Sequence, residues 1–185
     1  PAATLRRGMP IHWRTRVLNP LLAWAPVRGL INVLMHPLVA SVLFVGLIYL
    51  WLYYPVHFIV MLDVNWYKVM NYSMAIDGLL FWWLILDSRP KPPARLAPGV
   101  RILTALAVMP PQILIGAYIT FAGHDLYPIY DICGRAFLGM DQATDQYLGG
   151  LILWIPSSMM SVIAALIAFN HWTSLSARGR LRRKA

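Results

Sequence analysis

The stretch Asp145-Gln146-Tyr147-Leu148-Gly149-Gly150-Leu151-Ile152-Leu153-Trp154-Ile155-Pro156 decides how this chain is read. It joins an acid–amide pair to a double glycine, an apolar run and a proline. It then continues through Ser157-Ser158-Met159-Met160 to Phe169 with no charged side chain after Asp145. An uncharged apolar run of about 20 residues or more crosses a bilayer as a helix. Asp145 and Gln146 therefore stand at a membrane boundary, where polar groups serve as solvated caps or as site residues. Gly149 and Gly150 remove side chains where a neighbouring helix can come close. Pro156 deletes a backbone donor and predicts a kink.

Composition carries the same message to the whole chain. Of 185 residues, 59% are hydrophobic and 12% charged, with eight Trp, nine Tyr and a mean hydropathy of +0.58. A soluble domain carries about a quarter charged residues, so the chain reads as an integral membrane protein. All seven acidic residues are Asp. The net charge of +9 does not point to nucleic acid, because the bases gather in three clusters separated by apolar runs. One cysteine, Cys133, excludes an internal disulfide and any multi-cysteine metal site.

Working outward, residues 1–32 form a basic arm and an interfacial segment, broken by Pro20 and Pro26. Residues 33–172 form the transmembrane domain and residues 173–185 a basic tail. Four spans are expected: Pro37 to Tyr54, Trp66 to Leu86, Ile102 to Phe121 and Tyr147 to Phe169. Pro55 to Asn65 reads as a loop with a buried turn at Phe58–Leu62, and Pro110-Pro111 interrupts the third span. The segment Asp87 to Arg101 is a proline-rich basic loop. The arm, this loop and the tail hold all Lys and Arg except Lys68 and Arg135. Basic loops stay cytoplasmic, so the expectation is an all-α, multi-pass bundle in the bacterial inner membrane with both termini cytoplasmic.

The outer face then collects His57, His124 and Cys133, with Asp63, Asp125, Asp131, Asp145, Met61 and Met140 nearby. Imidazole, thiolate and thioether suit copper, so His57, His124 and Cys133 are the candidate metal ligands. No HxxxH, CxxC or MxxM spacing dictates a site. Asp77 lies mid-span, where an ionised carboxylate costs roughly 2.5–3.5 kcal/mol unless paired. With Asn71 and Ser73 it marks a polar patch on the second span, for proton transfer, partner binding or an interhelical bond, for instance to Gln112. Asp145, Gln146, Trp154 and Pro156 complete the candidate functional residues. No nucleophile–base pair or phosphate loop appears, so no enzyme activity is expected.

In order and spacing, several landmarks resemble the CtaG-type cytochrome c oxidase assembly factors. They are His36-Pro37-Leu38-Val39-Ala40, Gly78-Leu79-Leu80-Phe81-Trp82-Trp83 and Ala107-Val108-Met109-Pro110-Pro111 with Gly116. Leu126-Tyr127-Pro128-Ile129-Tyr130 and the opening Asp145–Pro156 stretch follow. The resemblance covers roughly residues 33–170. It implies a multi-span factor in maturation of a haem–copper oxidase, as an assembly factor or accessory subunit, with copper as the implied metal. Tyr53 or Tyr54, Met70-Asn71 and Leu153 stand where the family usually has a histidine, a Glu-His pair and a methionine. Weak or no copper binding is therefore expected. The other readings are a periplasm-facing copper chaperone or transporter component, and a structural subunit of another membrane complex.

Overall fold

Prolines and aspartates start the helices. The computed structural model describes residues 24–87, 89, 91, 94–134 and 139–179, with residues 8, 10–13, 16 and 20 before them. Arg6, Arg7, Arg14, Arg135 and the tail from Arg180 lie outside the described residues. Apart from a turn at Ile11–Trp13, the helices are α1 (Ala25–Leu34), α2 (Pro37–Leu52), α3 (Tyr54–Leu62), α4 (Val64–Ile85), α5 (Pro98–Ala107), α6 (Met109–Phe121), α7 (Tyr130–Cys133) and α8 (Gln142–Ala177). In α1, α2, α3, α5 and α6 a proline occupies the first or second position, where its missing N–H is no loss. The Asp63 carboxylate caps α4 by accepting from Asn65 N at 2.7 Å and Trp66 N at 3.4 Å. Asp141 caps α8 by accepting from Thr144 N at 3.0 Å.

The described residues contain no strand, as the apolar helical runs demand. Two stretches are long and apolar enough to cross a membrane, Pro98–Phe121 and Gln142–Ala177. The pair α1 and α2, bent by 74°, raises the count to three if taken as one span. Helix α4 is 22 residues long, but Lys68, Asn71 and Asp77 keep it out of that set. Four spans, expected from the sequence, thus exceed what length and apolarity alone establish.

Several boundaries move. The expected loop at Pro55–Asn65 holds helix α3, while the third span is interrupted as expected, by a break at Val108 with Pro110-Pro111 in the first turn of α6. Helix α8 starts before Tyr147 and runs past Phe169, and Pro156 sits inside it without ending it. Helix α5 takes in Arg101, which the sequence places in a loop.

Helix α8 packs along α6 and α5, and α4 packs on α2 and α3. The two groups meet at a core of Ala40, Phe81, Leu84, Ile85, Leu96, Ala105, Val108, Ala164 and Ala165. Phe44 of α2 stacks on Phe81 of α4 with centroids 4.3 Å apart. Helices α6 and α8 touch through glycine: a Cβ on Gly116 would lie 2.5 Å from Trp154 Cβ, and one on Gly150 2.6 Å from Thr120 N. Of the two adjacent glycines, only Gly150 makes the close approach expected of both; nothing lies within 4 Å of a Cβ on Gly149. These contacts pair Thr120 with Gly150 and Gly116 with Trp154, so α6 and α8 run antiparallel.

Candidate functional site

The head of α8 organises the end of the bundle. Asp141 is the cap and Asp145 lies in the first turn of the helix, its N–H bonding Asp141 O at 3.0 Å, with Gln146 next to it. Gln146 instead clasps the preceding loop. Its Oε1 accepts from Leu126 N at 2.8 Å, and its Nε2 donates to His124 O at 3.1 Å and Ala122 O at 3.5 Å. An amide has both donor and acceptor, and this loop backbone offers both. The Asp125 carboxylate tightens the same loop by accepting from Tyr127 N at 2.9 Å.

Two tyrosines tie that loop to the other half of the bundle. Tyr127 donates its hydroxyl to Leu52 O, the last residue of α2, at 2.8 Å. Tyr130 meets His57 of α3, its oxygen 2.9 Å from Nε2, while His57 Nδ1 lies 2.9 Å from Trp51 O. A carbonyl only accepts, so Nδ1 carries the proton, and Nε2 of the neutral ring accepts from the Tyr130 hydroxyl. His57 is 5% exposed, and Tyr127 packs edge-on against its ring at 5.1 Å. Burial holds the imidazole below its usual pKa, against the opposing pull of the Trp51 carbonyl bond. Burial, then the neighbouring Tyr130 and Tyr118, pushes Tyr127 up to about 12. Tyr130 rises too, from burial and then from the charge of Asp145. All three rings stay neutral at ordinary pH.

These groups surround a cavity of about 350 Å³. His57, Asp125, Tyr127, Tyr130, Asp145 and Gln146 supply its polar groups, and Leu52, Ile119, Leu153 and Gly149 its apolar wall. The structure therefore brings together four residues singled out in the sequence: His57, Asp125, Asp145 and Gln146. It does not bring His124 or Cys133 to them; His124 on the loop and Cys133 at the end of α7 are both exposed and outside the lining. Among the described residues no three His, Cys, Asp or Glu side chains gather as a metal site. Both ring nitrogens of His57 are engaged, so the expected donor set does not fit copper as it stands.

The remaining candidates scatter. Trp154 packs on Gly116, and its Nε1 is buried without a partner among the described residues. Ser157 donates to Leu153 O at 2.6 Å beside Pro156, one helical turn back. Asn71 is exposed and donates to Tyr67 O at 2.8 Å. Asp77 makes no hydrogen bond to Gln112, which is buried on α6.

Sequence reasoning missed Tyr127 and Tyr130 as site residues, although Leu126–Tyr130 was visible as a landmark. It also missed Arg101 at the opposite end of the bundle. Arg101 is 1% exposed. It donates to Leu96 O at 3.2 and 2.9 Å, to Arg89 O at 2.8 Å and to Asp87 O. Asp87 in turn pairs with Arg89 at 2.7 Å. Burial alone would raise the Asp87 pKa, but the Arg89 hydrogen bonds and the charges of Arg89 and Arg101 hold it below its usual value. A base in a proline-rich stretch looks like an orientation signal until the loop is seen to fold back over it.

An all-helical bundle with two or three helices fit to cross a bilayer, sealed at one end by a clasped loop, has the architecture of a membrane protein. More narrowly, the chain belongs to the cytochrome c oxidase caa3 assembly factor family (Caa3_CtaG), which it matches over residues 1–174. It is 27% identical over 163 residues to an uncharacterized protein of Mycobacterium leprae, covering 87% of this chain and 24% of that one. An uncharacterized protein of Mycobacterium bovis is 29% identical over 153 residues, 82% of this chain and 23% of its own length. The chain thus spans about a quarter of the length of the curated relatives it matches. No solved structure matches it.

Proposed function

We propose that this chain is a non-catalytic membrane factor that assists assembly of a haem–copper oxidase, crossing the inner membrane four times with both termini cytoplasmic. The cavity beside the head of α8 is where it receives a segment of its client. The observation that carries this reading is the chemistry of that cavity. Its apolar wall offers burial, while His57, Tyr127, Tyr130 and Gln146 already bond one another or the backbone and so hold its shape. Groups engaged in this way preorganise a docking surface, and a preorganised surface loses less entropy on binding. Asp145 and Asp125 give the mouth its negative charge. Copper maturation is the family's implied context, but the residues here favour holding a protein client over carrying the ion.

The experiment is deletion of the gene in its own host, followed by oxidase activity and subunit recovery in the membranes. The wild-type chain should restore both. Asp145→Asn, at matched membrane levels, should restore clearly less, because it keeps the shape of the side chain and removes its charge. Full oxidase assembly in the deletion strain would refute the assignment. Stable co-purification with mature oxidase would turn the factor into a permanent subunit.

A further inference from the structure

Helix α8 turns one stripe towards the cavity beside its head. Asp145, Gln146, Gly149 and Leu153 all line that cavity, and Gly149 stands three or four residues from each of the others. Gly149 is thus the middle of the stripe, and a side chain there would point into the cavity between those of Gln146 and Leu153. Among the described residues nothing lies within 4 Å of a Cβ built on Gly149. Gly150 differs, because Thr120 and Gly116 of α6 leave no room for a side chain on it. Inside a helix glycine is less stable than alanine, so the fold itself gains nothing from Gly149. What uses the space comes from outside the described chain.

Size and chemistry narrow what that is. The cavity measures about 350 Å³. One turn of a helix, about 10 Å across and about 5.4 Å long, sweeps out more than this, so the cavity takes a side chain and not a helix. The rings of His57, Tyr127 and Tyr130 stand 5.1, 5.9 and 6.4 Å apart by centroid, tilted or edge-on. Aromatic groups attract one another at that spacing. Their polar atoms are already spent on Trp51 O, Leu52 O and each other, so they offer an incoming group faces and edges. At the mouth the Asp125 and Asp145 carboxylates accept and do not donate. A carboxylate has about four acceptor positions, so each takes a further donor besides the contacts it already makes. An apolar wall, a ring cluster and acceptors at the rim together fit a ring that carries its own donor.

We infer that a tryptophan or tyrosine of the client enters this cavity and lies against the α8 backbone at Gly149, its N–H or O–H donating to Asp125 or Asp145. The inference rests on the reading of the cavity as the client's docking place. Gly149 is then the position that sets how large the entering side chain can be.

The test uses the full chain in membranes of its own host, with a photo-crosslinking amino acid in place of Ile132. That residue is 75% exposed on α7 and outside the lining. The probe should trap an oxidase subunit through a peptide that contains Trp or Tyr. Gly149→Ala should lower the yield about fivefold and Gly149→Leu about a hundredfold, the range that overpacking a filled site produces. Both variants should unfold at or above the parental temperature, because alanine and leucine are better helix formers than glycine. Leu148→Phe adds bulk at the exposed neighbour outside the lining and should leave the yield unchanged. Exchanging the client's ring for alanine should lower the yield with the parent chain and raise it with Gly149→Leu. A parental yield in Gly149→Leu would overturn the inference and leave the docking reading standing, as would a client whose capture depends on Lys or Arg instead of a ring. Lowered unfolding temperatures in both Gly149 variants would assign the space to the fold and overturn it too. A probe that traps no oxidase subunit would remove the docking reading, and the inference with it.

Discussion

Gly149 and Gly150 are chemically identical neighbours on α8, yet replacing each with alanine should move stability in opposite directions. A Cβ on Gly150 would collide with Thr120 Oγ1 and meet Thr120 N at 2.6 Å and Gly116 O at 2.9 Å. Two of those atoms are backbone and cannot rotate away. Ordinary contact needs about 3.5 Å, so α6 and α8 must part by roughly 1 Å. Overpacking of this kind costs about 1–3 kcal/mol, and the backbone contact places Gly150→Ala at the upper end. Alanine recovers about 1 kcal/mol through helix propensity, which leaves a net loss of about 2 kcal/mol. Gly149→Ala meets nothing within 4 Å. It keeps only the propensity term and gains about 1 kcal/mol. Thermal unfolding of the two variants in detergent or nanodiscs, followed by circular dichroism, reads both signs. A Gly150→Ala protein as stable as its parent, or equal shifts in both variants, would refute the helix register on which the site is built.

Three further outcomes follow from the polar contacts. Tyr130→Phe strips the buried Nε2 of His57 of its donor and should destabilise the protein by about 1–3 kcal/mol, seen as a lowered unfolding temperature at pH 8. Because burial lowers the folded-state pKa of His57, the unfolded chain binds the extra proton first. Stability should therefore hold above about pH 6.5 and fall as the pH drops below it, a trend that His57→Gln should flatten. Arg101→Met removes the donors to three loop carbonyls at about 1 kcal/mol or more each, and should expose the 87–97 segment to protease before the bundle unfolds.

Much of this molecule is written locally. Absence of Glu and scarcity of charge in the apolar runs set the class, and the prolines at helix starts and Asp63 before α4 set where helices begin. A proline ring or a carboxylate three residues from an N–H acts within one turn, so sequence distance is enough to read it. The order of landmarks from His36 to Pro156 was likewise sufficient to suggest the family the chain belongs to. What the sequence misplaced depends on distance across the fold. Asp145 reads from the sequence as either a cap or a site residue; the helix begins earlier, Asp141 is its cap, and Asp145 falls in the first turn. His57 read as a ligand because its partners, Trp51 O and the Tyr130 hydroxyl, come from the end of α2 and from the start of α7, 73 residues away. Arg101 read as an exposed orientation charge because the loop that buries it must first fold back. Gly149 and Gly150 could not be told apart, since both lie on one helix and only the approach of α6 distinguishes them. Backbone sterics and composition act along the chain and fix the helices; which face meets which neighbour is settled by interhelical register, where a rotation of one residue, about 100°, exchanges a buried contact for an exposed one.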